Sequence, residues 1–324
     1  MRTVGALMGW MEGGLRLVRR SMGRGLETLA PQVPPDLTHM VRPLGPRPTV
    51  AVVIPAHDAA ETLPDQLEAL ADQDYPGPWE VVVVDDGSGD DTRSVAEGFA
   101  GRMDLRVTTT PRRLGSPGAR NWGASSASAD ILCFCDADDR VSAAWISSYV
   151  EALQRAPAAA GPLHPSDRPD VDTQPWRDPE PGRFSHASSG NFAIRSDIFH
   201  ALGGFRADYP AHLAELDFSW RLQAAGLKYA LADGAAVWYR IRDDLGDLWR
   251  QRVAWGIEEA LARRLYGRSH MPHERAVATV KSYLWLMRRL PQLKSREARR
   301  QWVKVAGPRW GRLVGSLRYR VLYL

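Results

Sequence analysis

Apolar residues along this chain follow two rhythms. Three short, nearly unbroken apolar runs fall at 49–54, 80–84 and 131–135, and a further strand-like stretch at 105–109. Runs of that length without polar alternation mark strands buried on both faces. Between them lie stretches with helical spacing: 59–71, with Leu63, Leu67 and Leu70 in line, then 92–99 and 118–128. Strand and helix alternating at this interval predict an α/β fold, a Rossmann-like, doubly wound, mostly parallel sheet.

Beyond residue 140 the rhythm changes. Residues 157–182 are rich in Pro, Asp and Gly and read as a loop or insertion outside the core. Order returns at 190–195, followed by a short helix, the segment Leu202-Gly-Gly-Phe205, and helices at 213–225 and 248–264. The last of these places Trp249, Val253, Ile257, Ala260 and Leu261 on one face. Upstream, residues 4–29 have an amphipathic helical pattern, and 31–48 contain six prolines, which read as a linker. The C-terminal tail reads as helical, interrupted at Pro291 and Pro308. The expected organisation is 1–48 as amphipathic helix and linker, 49–265 as a domain with halves at 49–140 and 183–265, and 266–324 as a helical extension.

Composition changes this picture little: 324 residues, 44% hydrophobic and 25% charged, enough to bury a core. Charge changes it more. Residues 281–324 carry twelve Lys/Arg against one acidic residue, Glu297, a local charge of +11, while the whole chain is only +4. A mildly acidic body with a basic tail points to an anionic partner: a lipid surface, a nucleic acid or an acidic glycan. No motif of nucleic-acid recognition accompanies the tail. No apolar run reaches the ~18–20 residues that span a bilayer, and Glu12 and Arg16 break the pattern a signal peptide would need. The two cysteines, Cys133 and Cys135, stand two apart in a strand, where their Cα atoms lie about 6.5–7 Å apart, at or beyond disulfide reach. They read as buried free thiols of a reducing compartment.

Candidate chemistry gathers at strand ends. Asp136-Ala-Asp-Asp139 follows the run Ile131–Cys135, and open α/β sheets bind ligands outside the carboxyl ends of their strands. Three crowded carboxylates repel, a cost that a divalent cation, Mg²⁺ or Mn²⁺, removes while bridging to phosphate. Asp139 reads as the N-cap of the next helix. The first α/β unit has no Gly-x-Gly-x-x-Gly turn and no Walker loop. Pro55-Ala-His-Asp58 also lacks the Gly-rich, basic loop of a nucleotidyltransferase.

Seven segments carry a resemblance: Val52–Asp58 (VVIPAHD), Val81–Ser88 (VVVVDDGS), Gly118–Gly123 (GARNWG), Phe134–Asp139 (FCDADD), Ser189–Arg195 (SGNFAIR), Leu202–Phe205 (LGGF) and Glu215–Leu222 (ELDFSWRL). In this order and spacing, over about 49–265, the chain resembles the inverting glycosyltransferases of family 2, with the GT-A fold. That resemblance implies a nucleotide-sugar half at 49–140 and an acceptor half at 183–265. It implies that Asp85 or Asp86 binds the nucleobase, with Pro55 and Ala56 lining the pocket, Arg120 near the nucleotide, Asp136 on the ribose or metal, and Asp138 on the metal. Aligned on Arg221, the family's catalytic base falls on Glu215, which would take the acceptor hydroxyl's proton. The chain departs from the pattern at Ala214, which offers no acid. It departs again at 236–240, where many members carry a His ligand and this chain has none; Arg240 or Arg242, or His57, His186 or His212, are the local substitutes. Asp217 and Arg221, four apart, read as a supporting pair. Among Trp220, Trp238, Tyr239 and Trp249, Trp238 is the candidate platform for an acceptor sugar. The implied partners are a nucleotide-sugar donor and a glycan or lipid-linked acceptor. The expected location is cytoplasmic, peripheral on the inner face of the plasma membrane. The two departures leave a catalytically inactive, nucleotide- or partner-binding scaffold as the alternative.

Overall fold

A computed structural model describes residues 31–166, 186–241, 244–271 and 276–323. The amphipathic stretch at 4–29, most of the Pro-rich segment at 157–182, and Arg242 lie outside them. The chain divides into two compact units, one of residues 32–241 and one containing the described residues from 244 onward.

The first unit runs β1 (Val50–Ala56), α1 (Leu63–Ala71), β2 (Trp79–Asp85), α2 (Thr92–Glu97), β3 (Leu105–Thr109), α3 (Gly115–Ser126) and β4 (Ile131–Cys135). It continues through β5 (Arg140–Val141), α4 (Trp145–Leu153), β6 (Ala158–Ala160), β7 (Leu163–Pro165) and β8 (Asn191–Arg195). It ends with α5 (Ser196–Ala201), α6 (Ala211–Ala224), β9 (Tyr229–Leu231) and β10 (Val237–Tyr239). Seven strands form the main sheet in the order β3-β2-β1-β4-β8-β6-β9, and β5-β10-β7 form a small second sheet. Strands β1 to β4 are mutually parallel. Strand β8 runs antiparallel to both β4 and β6, so its beginning lies at the edge where β4 ends.

The uninterrupted valine runs become strands buried on both faces: Val81 to Val84 are fully buried, as expected of a sheet covered by helices on each side. One face packs Val52, Ile54, Val83 and Cys133 against Leu67, Leu70 and Trp145. The other packs Val53, Val84, Leu132 and Phe134 against Ala119 and Ala124 of α3 and against a group of phenylalanines, of which Phe205 and Phe218 have centroids 4.7 Å apart. Helix α3 approaches the sheet closely at Gly123, where a Cβ would lie 2.5 Å from Val53 Cγ1 and 2.8 Å from Val84 Cγ2. Both cysteines are free and buried; burial first, then the neighbouring thiol, pushes Cys133 up, and burial likewise raises Cys135.

Two readings of the sequence need correction. The segment beginning at 157 is not wholly outside the core: Ala158 to Ala160 are buried between β8 and β9. Three alanines lack the β-branched signal of a strand, yet their small side chains suit a closely packed position. The proline-rich segment before β1 is also more than a linker. Leu37 is buried, its N–H donates to the Ala225 carbonyl at 3.0 Å, and the Pro48 carbonyl accepts from the Tyr75 hydroxyl at 2.6 Å.

The second unit contains α7 (Leu245–His270), α8 (Ala276–Arg289) and α9 (Arg296–Tyr319). Helix α7 therefore groups with the C-terminal helices rather than with the sheet. The reason is a glycine seam. Added Cβ atoms at Gly256 and Gly311 would each lie 2.2 Å from a backbone carbonyl of the facing helix, and at Gly307 and Gly315 2.5 and 2.6 Å from the Cβ of Arg252 and Ala260. Pro308 does not interrupt α9 as expected. Its carbonyl lies against Gly256, and packing against α7 offsets the lost backbone bond. Pro291 does fall at a break, in the short 3₁₀ turn Leu290–Gln292. Leu248, Trp249, Val253, Leu286, Val303 and Ala306 form this unit's core. Among the described residues no helix is long and apolar enough to cross a membrane.

Candidate active site

The carboxyl edge of the main sheet assembles the acidic residues. Side chains alternate along a strand, so β2 and β4 direct Asp86 and Asp136 to the face covered by α3 and Asp85 to the opposite face. Asp85 stabilises its own turn, its Oδ1 accepting from Ser88 N–H at 2.9 Å. Asp86 sits where three elements meet. Its Oδ1 accepts from the Thr110 hydroxyl and the Leu114 N–H, both at 2.8 Å, and its Oδ2 from Gly115 N–H at 2.7 Å. Its own N–H donates to the Ala56 carbonyl at 2.8 Å, so β1, β2 and the start of α3 are tied at one point. Pro55 is half-buried and Ala56 buried at the end of β1, and His57 Nδ1 lies 3.1 Å from the Asp86 carbonyl oxygen.

Arg120 of α3 is 3% exposed and forms an ion pair with Asp136. It also hydrogen-bonds the Ser116 hydroxyl, while its Nε is buried with no protein partner. Asp136 is raised from its ordinary value by partial removal from water and by the charges of Asp138 and Glu215, against the opposing pull of Arg120. Asp136, Asp138 and Asp139 each place a carboxylate oxygen within 4.8 Å of the others. Asp139 is not a helix N-cap. It is buried and accepts the Arg240 N–H through Oδ1 at 3.1 Å, and burial together with Asp136 and Asp138 raises it well above its ordinary value. Three hard oxygen donors at this spacing, two of them destabilised as anions, fit a divalent cation.

Helix α6 brings Glu215 beside the same acidic group: Ser189, which holds its carboxylate, adjoins Gly190, where a Cβ would lie 2.6 Å from Asp136 Oδ2. The carboxylate is seated by Ser189, whose hydroxyl and N–H both donate to Oε1, the latter at 3.3 Å. His212 Nδ1 stands 3.8 Å from Oε2. Burial acts to raise Glu215, but the hydrogen bond and charge of His212, the Arg120 charge and the Ser189 hydroxyl outweigh it, and its pKa lies below the ordinary glutamate value. Ala214, where the pattern would offer another acid, is fully buried. His186 packs edge-on to His212, with ring centroids 6.3 Å apart.

The supporting residues lie underneath. Arg221 Nε donates to Asp217 Oδ2 at 2.7 Å across one turn of α6, and its Nη1 and Nη2 reach the Leu202 and Gly204 carbonyls at 2.5 and 2.7 Å. Gly203 and Gly204 have φ of +78° and +66°, which only glycine adopts cheaply. Asn121 clamps the same turn, donating to the Phe205 carbonyl and accepting its N–H. Arg240 directs Nη2 to Asp65 at 2.6 Å.

Residues the sequence reading left without a role prove central. Ser189 holds Glu215, and Gly190 leaves room for Asp136: a Cβ there would lie 2.6 Å from Oδ2. Asn191 satisfies all its hydrogen-bonding capacity, accepting from Trp145 Nε1 and Tyr149 hydroxyl and donating to the Pro162 and Ala235 carbonyls. Small polar residues just before a buried strand were the available signal. On the small sheet, Trp238 registers between Arg140 and His164 and stacks on His164, centroids 6.0 Å apart. Trp220 and Trp249 are instead buried.

The model of Glycosyl transferase family 2 matches residues 51–212, half of the chain. Glycosyltransferase AglE of Haloferax volcanii is 29% identical over 197 residues, covering 57% of this chain and 64% of AglE; the chain thus spans less than two thirds of that relative. The mannosyltransferase PcManGT of Pyrobaculum calidifontis, solved with GDP-Man and Mn²⁺, superimposes with a TM-score of 0.55 at 17% identity, covering 97% of this chain and 96% of PcManGT. S. aureus TarS 1-349 with UDP gives 0.51 at 17% identity, covering 85% of this chain and 93% of that one. At such identities these likenesses show the GT-A fold.

Proposed function

The chain belongs to Glycosyl transferase family 2, and from that membership we propose that it moves a sugar from a nucleotide-diphosphate sugar to a hydroxyl acceptor with inversion at the anomeric carbon. One observation carries the reading: the carboxylates of Asp136 and Asp138 and the seated carboxylate of Glu215 gather at one sheet edge, joined through Ser189 and Gly190, with a buried arginine. A relative solved with GDP-Man and Mn²⁺, and another with UDP, support a nucleotide donor and a cation.

On this reading the nucleotide lies along the face of α3. Asp86, at the junction of three elements, accepts an imide N–H of the base with its remaining lone pair, Pro55 and Ala56 line the base, and Asp85 shapes the turn. Arg120 and Asp136 hold the ribose and diphosphate. Asp136, Asp138 and Asp139 would hold Mg²⁺ or Mn²⁺, which when bound offsets negative charge on the diphosphate. Glu215 is ionised at neutral pH, since its pKa lies below the ordinary value. It accepts the proton of the acceptor hydroxyl as that oxygen bonds to the anomeric carbon. The bond from that carbon to the diphosphate breaks, and the electron pair leaves with the diphosphate. Ser189 fixes the carboxylate's direction, which matters because a misplacement of 1 Å costs about 100-fold. Asp217 and Arg221 hold the helix and turn beneath it.

The half-buried Trp238 and its neighbours Arg140 and His164 form the acceptor platform in this proposal, with aromatic faces against sugar C–H edges. The acceptor class we infer is a cell-envelope glycan or lipid-linked saccharide handled on the cytoplasmic side. The S. aureus relative named poly(ribitol-phosphate) beta-N-acetylglucosaminyltransferase TarS, 33% identical over 93 residues, supports that class.

The test begins with a thermal-shift screen of nucleotide sugars with and without Mn²⁺. With the donor so found, Glu215→Gln abolishes transfer while donor affinity survives. Loss of donor binding to the same extent would overturn the assigned role, and binding without turnover by the native chain over a range of acceptors would favour a scaffold.

A further inference from the structure

Helix α8 presents two apolar faces. Inward, Leu286 is buried and Trp285 packs with the core of the C-terminal unit, and the Leu286 carbonyl accepts from Trp302 Nε1 at 3.1 Å. Outward, Val280, Tyr283, Leu284 and Met287 are 56%, 39%, 45% and 67% exposed. Their spacing of three and four residues places them in one stripe about 100° wide. Leu290, 49% exposed, extends it into the following turn. Lys281 and Arg288 are exposed along one edge of the stripe, seven residues apart and therefore on the same side of the helix. Lys294, Arg296 and Arg299 continue the exposed basic surface beyond it. In this whole region, 281–324, the single acidic residue is Glu297.

We propose that the outward face of α8 is an interfacial anchor that lies in the headgroup region of an anionic lipid bilayer. Charge complementarity carries this assignment, independently of the sugar-transfer reading. Apolar side chains flanked by lysine and arginine match a surface whose headgroups are negative and whose interior is apolar, and the basic stems reach back to the headgroups. Because no described helix is suited to crossing a bilayer, the helix lies on the membrane rather than through it. A second copy of the chain is the poorer occupant. Its own Lys281 and Arg288 would be brought against like charges, and five partly exposed side chains fall far short of the ~20–30 residues per side of a stable interface.

The experiment is vesicle flotation of the full-length protein. One set of vesicles is phosphatidylcholine alone, and the other is phosphatidylcholine with phosphatidylglycerol, each at low and at physiological salt. The expected result is binding to the anionic vesicles that weakens with salt. Lys281→Gln/Arg288→Gln weakens it by about 25-fold, roughly fivefold per charge. Leu284→Glu/Met287→Glu removes at least tenfold with an unchanged melting temperature, since both positions face solvent. Equal binding to pure phosphatidylcholine would overturn the proposal, as would undiminished binding of the Leu284/Met287 variant. So would a concentration-dependent dimer that this variant abolishes, which would assign the face to a second copy.

Discussion

Replacing Gly190 with alanine separates the site from the fold. The backbone there is not left-handed, so alanine introduces no strain of its own. Its methyl would lie 2.6 Å from Asp136 Oδ2 and 3.1 Å from Cγ, where ordinary contact begins at 3.4 Å. The carboxylate must therefore retreat by about 0.8 Å, and it is free to do so because the side chain is 39% exposed. Any movement that clears the methyl also shifts Oδ1 relative to Arg120, which is anchored by its burial and by Ser116. A charge-assisted hydrogen bond is worth about 1.5–3 kcal/mol, so a nucleotide held by this pair loses about 10- to 150-fold in affinity. The cost to the fold stays at about 1–2 kcal/mol, a fall in Tm of about 2–8 °C for a unit of this size. Calorimetric titration of UDP and GDP with Mn²⁺, paired with thermal melts, reads both quantities. In an Asp136→Ala background Gly190→Ala should add nothing further. Affinity within twofold of the native protein, or an equal additional loss in that background, would refute the reasoning.

Asp217→Asn leaves the Arg221 guanidinium buried without its counter-charge. Breaking a pair of this kind costs about 3–5 kcal/mol, a drop in Tm of about 6–20 °C; a melt unchanged within error would contradict the pair's role in fastening α6 to the Gly203–Gly204 turn. His212→Gln acts on pH dependence. Burial pushes Glu215 up while His212, Arg120 and Ser189 hold it below its ordinary value of 4.5, so the stability this group contributes is full above that value and is lost as pH falls through the depressed folded one. Without His212 the folded pKa rises, that contribution shrinks, and the acid limb of kcat/KM moves to higher pH; an unmoved limb would remove His212 from the account.

How much of this was legible beforehand differed by element. The apolar runs of β1, β2 and β4 specified their strands almost to the residue, because burial on both faces leaves an unbroken apolar signal. Strand β6 has no such signal. Its three alanines fit because β8 and β9 crowd that position, and crowding is a property of the assembled sheet. The acidic cluster at Asp136–Asp139 could be located from strand-end logic. The partners that set its chemistry could not: Arg240 reaches Asp139 from 101 residues away, and Ser189 reaches Glu215 from 26. The α7–α9 seam was missed for a related reason. Gly307, Gly311 and Gly315 recur every four residues, but a row of glycines has meaning only when the facing helix is known.

The three bonds accepted by Asp86 have a consequence for genetics at this position. The carboxylate fastens the start of α3, and Arg120 is carried on that helix a turn and a half further on. A variant lacking the acid would release the helix end and shift the cation together with whatever Asp86 itself touches. A defect measured after such a change would combine two causes in a single number, and only a paired substitution at Thr110, which loosens the clasp while sparing the acid, could apportion them.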